Sequence, residues 1–267
     1  MADKIISVCS GIGGLDLGMH RAMRSLGYTP RTVCYVEREA YPAAVLVKQI
    51  QEGNLDECPI WLGDLRGFPA GSMVGANWIC GGYPCQAFSL SGLRRGFDDS
   101  RAIWPGIVDI IDQVLPGGVF FENVYGHISL GLFRVLCDLE RRGFKTEWGI
   151  YTAEEIGAPH LRKRVFILGM QDHKLADSKS IGLENGVRWR RNAHQWPSRP
   201  RCPQGSNEPR RTTICGLAGN AHGVSPGMDR SRADRVRAIG NAVVPQVAEK
   251  AFLDLHEQLI RQWGKPC

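Results

Sequence analysis

Apolar and polar residues alternate along the chain in blocks whose periods predict strands and helices in turn. Short apolar runs predict strands at residues 5–9 and 32–36. Between them, apolar residues recur three and four positions apart, which predicts an amphipathic helix. Its apolar face would consist of Leu15, Met19, Ala22, Met23 and Leu26. Strands that alternate with helices at this spacing are typical of an open, largely parallel sheet with helices on both faces.

The alternation continues to about residue 170 and resumes near the end of the chain. We predict helices at 41–51, 103–114 and 130–142, a strand ending at 80, and strands at 118–121, 146–151 and 164–169. Pro245 is suited to the first turn of a last helix, whose apolar face would be Ala248, Phe252, Leu255 and Leu259. We therefore expect a main domain at 1–171, an insertion at 172–234, and a segment at 235–267 that returns to the main sheet.

Charge distinguishes the insertion from the rest of the chain. Of the 267 residues, 33 are Lys or Arg and 27 are Asp or Glu, and segment 172–234 holds 11 of the former and 6 of the latter. Most of the net charge of +6 therefore lies in this segment, which has few large apolar residues. Either it forms solvated loops, or it contacts nucleic acid through Arg188, Arg190 and Arg191 around Trp189. Composition leaves both interpretations open.

Composition also excludes several classes of protein. With 43% hydrophobic residues, the chain has an ordinary globular composition, and no apolar run approaches the ~20 residues that a membrane span requires. The apolar run at 5–9 is too short for the core of a signal peptide. The nine cysteines contain no CxxC pair, so we predict neither a disulfide framework nor a metal site. A reducing cytoplasm is the expected location.

A glycine-rich turn follows the first predicted strand. Segment 9–14 reads Cys-Ser-Gly-Ile-Gly-Gly, and glycines there allow the backbone to approach a ligand at the carboxyl end of the strand. Glu37 ends the second strand, where a carboxylate can accept hydrogen bonds from ribose hydroxyls, and Asp64 has a similar position. Together these features favour an adenosine-containing ligand.

Candidate chemistry lies at the ends of two later strands. Segment 81–89 reads Gly-Gly-Tyr-Pro-Cys-Gln-Ala-Phe-Ser, and it places Cys85 in a polar, glycine-rich loop followed by several arginines. Nearby arginines favour a thiolate, so Cys85 is a candidate nucleophile, whereas we interpret the other eight cysteines as inert. Glu122 follows two phenylalanines, an apolar setting that raises the pKa of a carboxyl group and suits it to donate a proton.

These segments, in this order, resemble the DNA cytosine-5 methyltransferases. The family combines a glycine-rich cofactor turn, a Pro-Cys-Gln-x-Phe-Ser loop, a Glu-Asn-Val segment, an arginine pair and a late Gly-Asn-[Ala/Ser]-[Val/Ile]-x-Pro. Here the last three are found at 122–124, in Gly-Ala-Pro-His-Leu-Arg-Lys-Arg at 157–164, and at 240–245. The resemblance covers residues 4–170 and 235–263. It implies a Rossmann-like class I methyltransferase sheet with a small basic target-recognition insertion.

The resemblance also assigns residues to roles. It implies that Cys85 is the nucleophile, that Glu122 contacts the cytosine, and that Arg162 and Arg164 support the base and the loop. The implied cofactor is S-adenosylmethionine, bound by Cys9, Ser10, Gly11, Ile12, Gly13, Gly14, Glu37, Asp64, Pro84, Trp104, Asn241 and Ala242. The DNA-contacting residues that we predict are Gln86, Ser89, Arg94, Arg95, Arg188, Arg190 and Arg191.

The residue types suit this reaction on chemical grounds. Carbon 5 of cytosine is a poor nucleophile, and a thiolate that adds at carbon 6 pushes electrons into the ring. A protonated glutamate at ring nitrogen 3 stabilises the adduct. A cytosine within a stacked duplex is out of reach, so it has to be flipped out, at a cost of roughly a few kcal/mol. With this reaction in view, we interpret segment 172–234 as the lobe that holds DNA.

Two alternatives stay open at this point. One is a tRNA cytosine-5 methyltransferase, although that branch usually carries a late Cys-Phe-Thr signature that this chain lacks. The other is a catalytically silent DNA-binding relative, against which the intact Cys85, Glu122 and arginine pair argue. For the enzyme we expect a monomer that acts on duplex DNA in a bacterial cytoplasm. The recognised sequence, a companion restriction nuclease, and a bacterial or phage origin are left open.

Overall fold

Seven strands in the described part of the chain form one sheet. The computed structural model describes residues 2–84, 103–158, 161–172 and 229–263. The strands are β1 (Asp3–Val8), β2 (Pro30–Glu37), β3 (Ile60–Leu62), β4 (Trp78–Gly82), β5 (Gly118–Val124), β6 (Lys145–Thr152) and β7 (Lys163–Met170). Their order across the sheet is β3-β2-β1-β4-β5-β7-β6, and the first five in that order run parallel. β7 is antiparallel to β5 and to β6.

Helices cover both faces of this sheet. They are α1 (Gly14–Ser25), α2 (Ala40–Gln51), α3 (Trp104–Val114), α4 (Phe133–Glu140), α5 (Asp229–Asn241) and α6 (Pro245–Trp263). α1 and α6 pack together on one face, where Phe252 of α6 contacts Trp78 and Phe120 with ring centroids 5.7 and 5.1 Å apart. α3 and α4 bury apolar side chains on the other face. The hydrophobic core therefore lies in two layers, one on each side of the sheet.

Small residues allow α1 to contact the segment that leads into α6. A Cβ atom at Gly14 would lie 2.2 Å from the carbonyl oxygen of Val243, and one at Gly18 would lie 2.3 Å from that of Pro245. Any side chain at these two positions would displace the backbone that follows α5. The beginning of the first helix and the beginning of the last therefore form one packed unit.

The sheet and its flanking helices confirm the predicted α/β fold class. Six of the seven strands in the described residues are within a few residues of their predictions, whereas β3 was not predicted, and the apolar face predicted for the last helix is buried in α6. Two further features of the secondary structure differ from the prediction. The helix predicted at 130–142 begins as a π-helical turn, Ile128–Leu132, and becomes α-helical only at Phe133. The antiparallel pairing of β6 and β7 was not apparent from the periodicity, which does not report strand direction.

The sequence pattern also missed α5. This helix, Asp-Arg-Ser-Arg-Ala-Asp-Arg-Val-Arg-Ala-Ile-Gly-Asn, is mostly polar and has no continuous apolar face. It also crosses the boundary between 234 and 235 at which we divided the insertion from the C-terminal segment, a division that stays a prediction. None of the helices among the described residues is long and apolar enough to cross a membrane.

Candidate active site

The glycine-rich turn links the ends of β1 and β2. The Ser10 N–H donates to the carbonyl oxygen of Val36 at 3.1 Å, and the Ser10 hydroxyl accepts from the Val36 N–H at 3.2 Å. Gly11 and Gly13 have φ angles of 57° and 82°, which glycine adopts without strain. Within the described residues, no atom lies within 4 Å of where a Cβ of Gly11 would stand. The turn is therefore fixed at its base and open on its outer side.

Glu37 completes this turn from the end of β2. Its Oε2 atom accepts a hydrogen bond from the Gly11 N–H at 2.7 Å. Its Oε1 atom accepts from the N–H groups of Arg38 and Glu39 at 2.7 and 2.8 Å. The side chain is buried, so these three donors hold it in one orientation beside the turn. This is the position in which a carboxylate meets a ribose in related nucleotide-binding folds.

A cleft opens at the carboxyl ends of β1 and β4. Its lining consists of Ser7, Cys9, Ser10, Gly11, Ile12, Gly14, Leu15, Asp16, Gly81, Gly82, Asn241, Ala242 and Val243. Seven of these residues are among those predicted to bind the cofactor. The cleft thus brings together two segments from opposite ends of the described chain, the glycine-rich turn and residues 241–243.

Two other predicted cofactor residues have local partners instead. The Trp104 indole is 2% exposed, it packs on Tyr83 and Phe121, and its Nε1 donates to Asp138 at 3.1 Å. It supports the core under the strand ends rather than lining the cleft. Asp64 accepts two hydrogen bonds from the Arg66 guanidinium, which hold the pKa of its carboxyl group well below the usual range. The roles of both residues in cofactor binding stay predictions.

The thiol of Cys9 is chemically unsuited to attack. Burial, with the negative charges of Glu37 and Asp64, raises its pKa to about 12. A thiol in that environment stays protonated at neutral pH and is a weak nucleophile. Cys9 packs against the core and lines the cleft, and its role in cofactor binding stays a prediction.

Glu122 stands at the end of β5, on the same side as the cleft. The Nε atom of Arg164 forms an ion pair with its Oε1 atom at 2.7 Å. The geometry is not that of a hydrogen bond, and within the described residues this buried oxygen has no hydrogen-bond donor. Burial raises the pKa of Glu122 to about 7, although Arg164 and Arg162 oppose the shift. The neighbouring Gly82 leaves room beside the carboxyl group, since a Cβ there would lie 3.1 Å from its Oε2 atom.

Arg162 connects this carboxyl group to the cleft. Its Nη2 atom donates to the carbonyl oxygen of Ala242 at 2.7 Å, while its buried Nε has no hydrogen-bond partner within the described residues. Buried polar groups without a protein partner are uncommon and are found at sites that bind ligands. The arginine pair thus lies between the strand that carries Glu122 and the segment that closes the cleft.

Asn123 and His127 anchor the strand end that leads to Cys85, and sequence reasoning gave neither a role. The Asn123 side chain donates to the carbonyl oxygen of Tyr83 at 3.2 Å. The Tyr83 hydroxyl and the Nε2 atom of His127 are hydrogen-bonded at 2.9 Å. The motif at 122–124 marked Asn123, but no local pattern distinguishes a buried histidine such as His127 from a surface one.

Several predicted site residues lie outside the described residues. They are Cys85, Gln86, Ser89, Arg94, Arg95, Arg188, Arg190 and Arg191. Among the predicted catalytic residues, the structure therefore places Glu122, Arg162 and Arg164, and it brings these three together.

The order of the sheet, with an antiparallel strand beside the last parallel one, defines a Rossmann-like class I methyltransferase fold. The chain belongs to the family described as C-5 cytosine-specific DNA methylase, which matches its residues 4–198. That family was the one expected from the motifs.

Individual relatives agree with this assignment. Type II methyltransferase M.NgoBV of Neisseria gonorrhoeae is 31% identical over 178 residues, which are 62% of this chain and 41% of the relative. M.AquIA of Picosynechococcus is 28% identical over 63% of this chain and 72% of its own length. The chain spans about two fifths of the length of M.NgoBV and of M.NlaIV from Neisseria lactamica.

Solved structures share the fold. The methyltransferase EhMeth of Entamoeba histolytica has a TM-score of 0.53 at 19% identity, over 64% of this chain and 53% of its own. A DNMT2 mutant from Spodoptera frugiperda has a TM-score of 0.52 at 19% identity, over 64% and 50%. At this level of identity the likeness concerns the arrangement of strands and helices.

Proposed function

We propose that the protein transfers a methyl group from S-adenosylmethionine to carbon 5 of a flipped-out cytosine in duplex DNA. The observation that carries this proposal is the buried carboxyl group of Glu122, held by Arg164 at a strand end beside the cleft. The family and the Type II relatives supply the substrate class, which we extend from them to this chain. We propose a monomer that acts in the cytoplasm of a bacterium.

The residues of the cleft fit the proposed cofactor. The open outer side of Gly11 admits a ligand to the backbone of the turn, and the fixed carboxylate of Glu37 suits a ribose. Asn241 and Ala242 would cover the opposite side of the bound molecule. When bound, the cofactor would supply an electrophilic methyl group for the transfer.

Glu122 and Cys85 would carry out the steps on the cytosine. The Cys85 thiolate would add to carbon 6 of the cytosine, and this makes carbon 5 nucleophilic. A pKa of about 7 leaves much of Glu122 protonated at neutral pH, so that it can donate a hydrogen bond to ring nitrogen 3. After methylation, transfer of the proton on carbon 5 to solvent water would expel the thiolate and release the enzyme.

The hydrogen bond from Asn123 to Tyr83 would support this attack. Because Tyr83 precedes Cys85 by two residues, a fixed Tyr83 carbonyl limits where the nucleophile loop can begin. Segment 172–234, with its excess of Lys and Arg, would hold the DNA backbone while the base is flipped. A companion restriction nuclease would be consistent with the Type II relatives.

Labelled S-adenosylmethionine with duplex DNA, with tRNA or without polymer tests the proposal directly. We expect label in DNA, its loss by orders of magnitude in Cys85→Ser, and near-normal transfer in the control Cys137→Ser on α4. DNA that carries 5-fluorocytosine should trap the wild type covalently, because fluorine cannot leave as a proton does.

The other outcomes separate the alternatives. Label in tRNA alone would support the tRNA methyltransferase, and DNA binding without any transfer would support a silent relative. Trapping that persists in Cys85→Ser would contradict the assigned nucleophile. Bisulfite sequencing of DNA from cells that express the protein would identify the methylated sequence.

A further inference from the structure

Asp16 is a carboxylate that the proposed reaction does not use. It lies in the first turn of α1, it lines the cleft, and it is 1% exposed. Its Oδ2 atom accepts a hydrogen bond from the Ser7 hydroxyl at 3.0 Å, and its Oδ1 atom accepts from the Cys80 thiol at 3.7 Å. Both donors are neutral groups of the central strands β1 and β4.

Asp16 has no cationic side chain as a partner in the described part of the chain. No Lys, Arg or His forms an ion pair with it among the residues that the structure describes. Within the described residues, the titratable groups that interact with its charge are Cys80 on β4, Tyr35 on β2, Cys58 and Asp56, none of which is basic. Burial raises the pKa of Asp16 to about 7, although the Ser7 hydroxyl opposes the shift. A buried carboxylate without a cationic partner is costly to ionise.

The place of Asp16 along the cleft indicates which part of a ligand it would meet. Glu37, at the end of β2, marks the end of the cleft that suits a ribose. Asp16 is hydrogen-bonded to side chains of β1 and β4, and Gly82 at the end of β4 adjoins Glu122. Under the proposed function, this is the end where the methyl donor is held. The donor there carries a sulfonium, an ammonium and a carboxylate group and is cationic overall, whereas the same end of the product is neutral overall.

We infer that Asp16 is the counter-charge for the cationic end of S-adenosylmethionine, and that it makes the cleft prefer this cofactor to its product. The inference rests on the proposed function. Methyl transfer converts the sulfonium into a neutral thioether, so S-adenosylhomocysteine offers Asp16 one positive charge fewer. Binding of the cofactor favours the ionised carboxylate, and loss of the sulfonium favours its protonation and the release of the product.

The sign of the pH dependence follows from this arrangement. Below pH 7 the carboxyl group is mainly protonated and has no net attraction for a cation. As the pH rises through about 7 it ionises, and the affinity for S-adenosylmethionine rises relative to that for S-adenosylhomocysteine. Near neutral pH, binding of S-adenosylmethionine displaces a fraction of a proton that binding of S-adenosylhomocysteine does not.

Calorimetric titration without DNA tests the inference. Wild type, Asp16→Asn and the control Asp109→Asn, which lies on α3 away from the cleft, are titrated with both ligands between pH 5.5 and 7.5. At pH 7.5 we expect Asp16→Asn to bind S-adenosylmethionine about tenfold more weakly and S-adenosylhomocysteine almost as the wild type does. Asp109→Asn should match the wild type with both ligands.

A second measurement, the number of protons released on ligand binding, uses only the wild type and so does not depend on how the variant folds. Wild-type titrations in buffers of different ionisation enthalpy should show greater proton release with S-adenosylmethionine than with S-adenosylhomocysteine. Equal proton release, or equal weakening of both ligands by Asp16→Asn, would overturn the inference while leaving the proposed function in place. A wild type that binds neither ligand would overturn the proposed function and the inference with it.

Discussion

Arg162 donates a hydrogen bond to the carbonyl oxygen of Ala242, at 2.7 Å and across 80 positions of sequence. The donor precedes β7, close to Glu122, and the acceptor lies in the wall of the cleft. One side chain therefore connects the proposed base-binding group with the proposed cofactor site. Loss of the Arg162 side chain should therefore affect both the proposed base-binding group and the proposed cofactor site.

We expect Arg162→Met to weaken the binding of S-adenosylmethionine about tenfold, because a hydrogen bond from a charged donor contributes roughly 1.5–3 kcal/mol. The decline of the maximal rate with rising pH should also move to higher pH, since Glu122 loses a neighbouring positive charge that favours its ionised form. Arg141→Met, an exposed change at the end of α4, is the matched control. Calorimetry and steady-state kinetics give the two quantities, and cofactor affinity at the wild-type level would show that the bond to Ala242 is dispensable.

Glu37→Ala should raise the requirement for S-adenosylmethionine more than tenfold and leave the rate at saturation nearer to normal. The same change leaves three backbone N–H groups without an acceptor, so the free energy of unfolding should fall by about 2 kcal/mol or more. Glu37→Gln keeps one acceptor oxygen, so its cofactor affinity and its stability should lie between those of the wild type and of Glu37→Ala. Titration calorimetry and urea unfolding measure these effects, with the exposed Glu39→Gln as control. Unchanged cofactor affinity would mean that Glu37 only holds the turn.

The pKa of Glu122 predicts a pH profile for catalysis. Since the protonated form is the one that donates to the base, kcat/KM should decline as the pH rises through about 7. Weakening the opposing positive charge by Arg164→Gln should move the decline to higher pH, because Arg164 favours the ionised carboxylate. Rates at saturating cofactor across pH 6–9 provide the measurement. A decline that stays at the same pH in Arg164→Gln would assign the titration to another group.

Neutralising Arg188, Arg190 and Arg191 together should weaken DNA binding, chiefly through lost phosphate contacts. The slope of log affinity against log salt should flatten by about 0.9 per lost contact with duplex DNA. Affinity for S-adenosylmethionine should not change. DNA binding measured at several salt concentrations tests this prediction. If the triple variant keeps the salt slope of the wild type, the DNA contacts have to come from Arg94, Arg95 and the rest of the loop that carries Cys85.

Local chemistry made much of the site predictable. The glycines at 11 and 13 stand in a turn that requires positive φ, and Glu37 follows an apolar strand, so both were apparent from short segments. The same holds for Glu122, whose raised pKa follows from the buried strand that carries it. In each case the residue type and its place at a strand end determine its surroundings.

Contacts between distant segments were not predictable in this way. The burial of Asp16 depends on Ser7 and Cys80 from two different strands, whereas a lone aspartate near a helix start is usually a solvated cap. The family resemblance implied Trp104 as a cofactor residue, and the side chains that enclose it, Tyr83, Phe121 and Asp138, come from distant segments. Pattern and propensity describe neighbours along the chain, and these residues are defined by neighbours across the sheet.

The close packing of Gly14 against Val243 has a consequence for biosynthesis. On the ribosome, the glycine-rich turn emerges early, whereas the opposite wall of the cleft emerges only after nearly all the described chain has been translated. A nascent chain would therefore lack a complete binding surface until residues 241–243 have emerged. Capture of the methyl donor would mark the moment at which the two walls of the cleft have met, so the same ligand would act as substrate and as a late stabiliser of the folded protein.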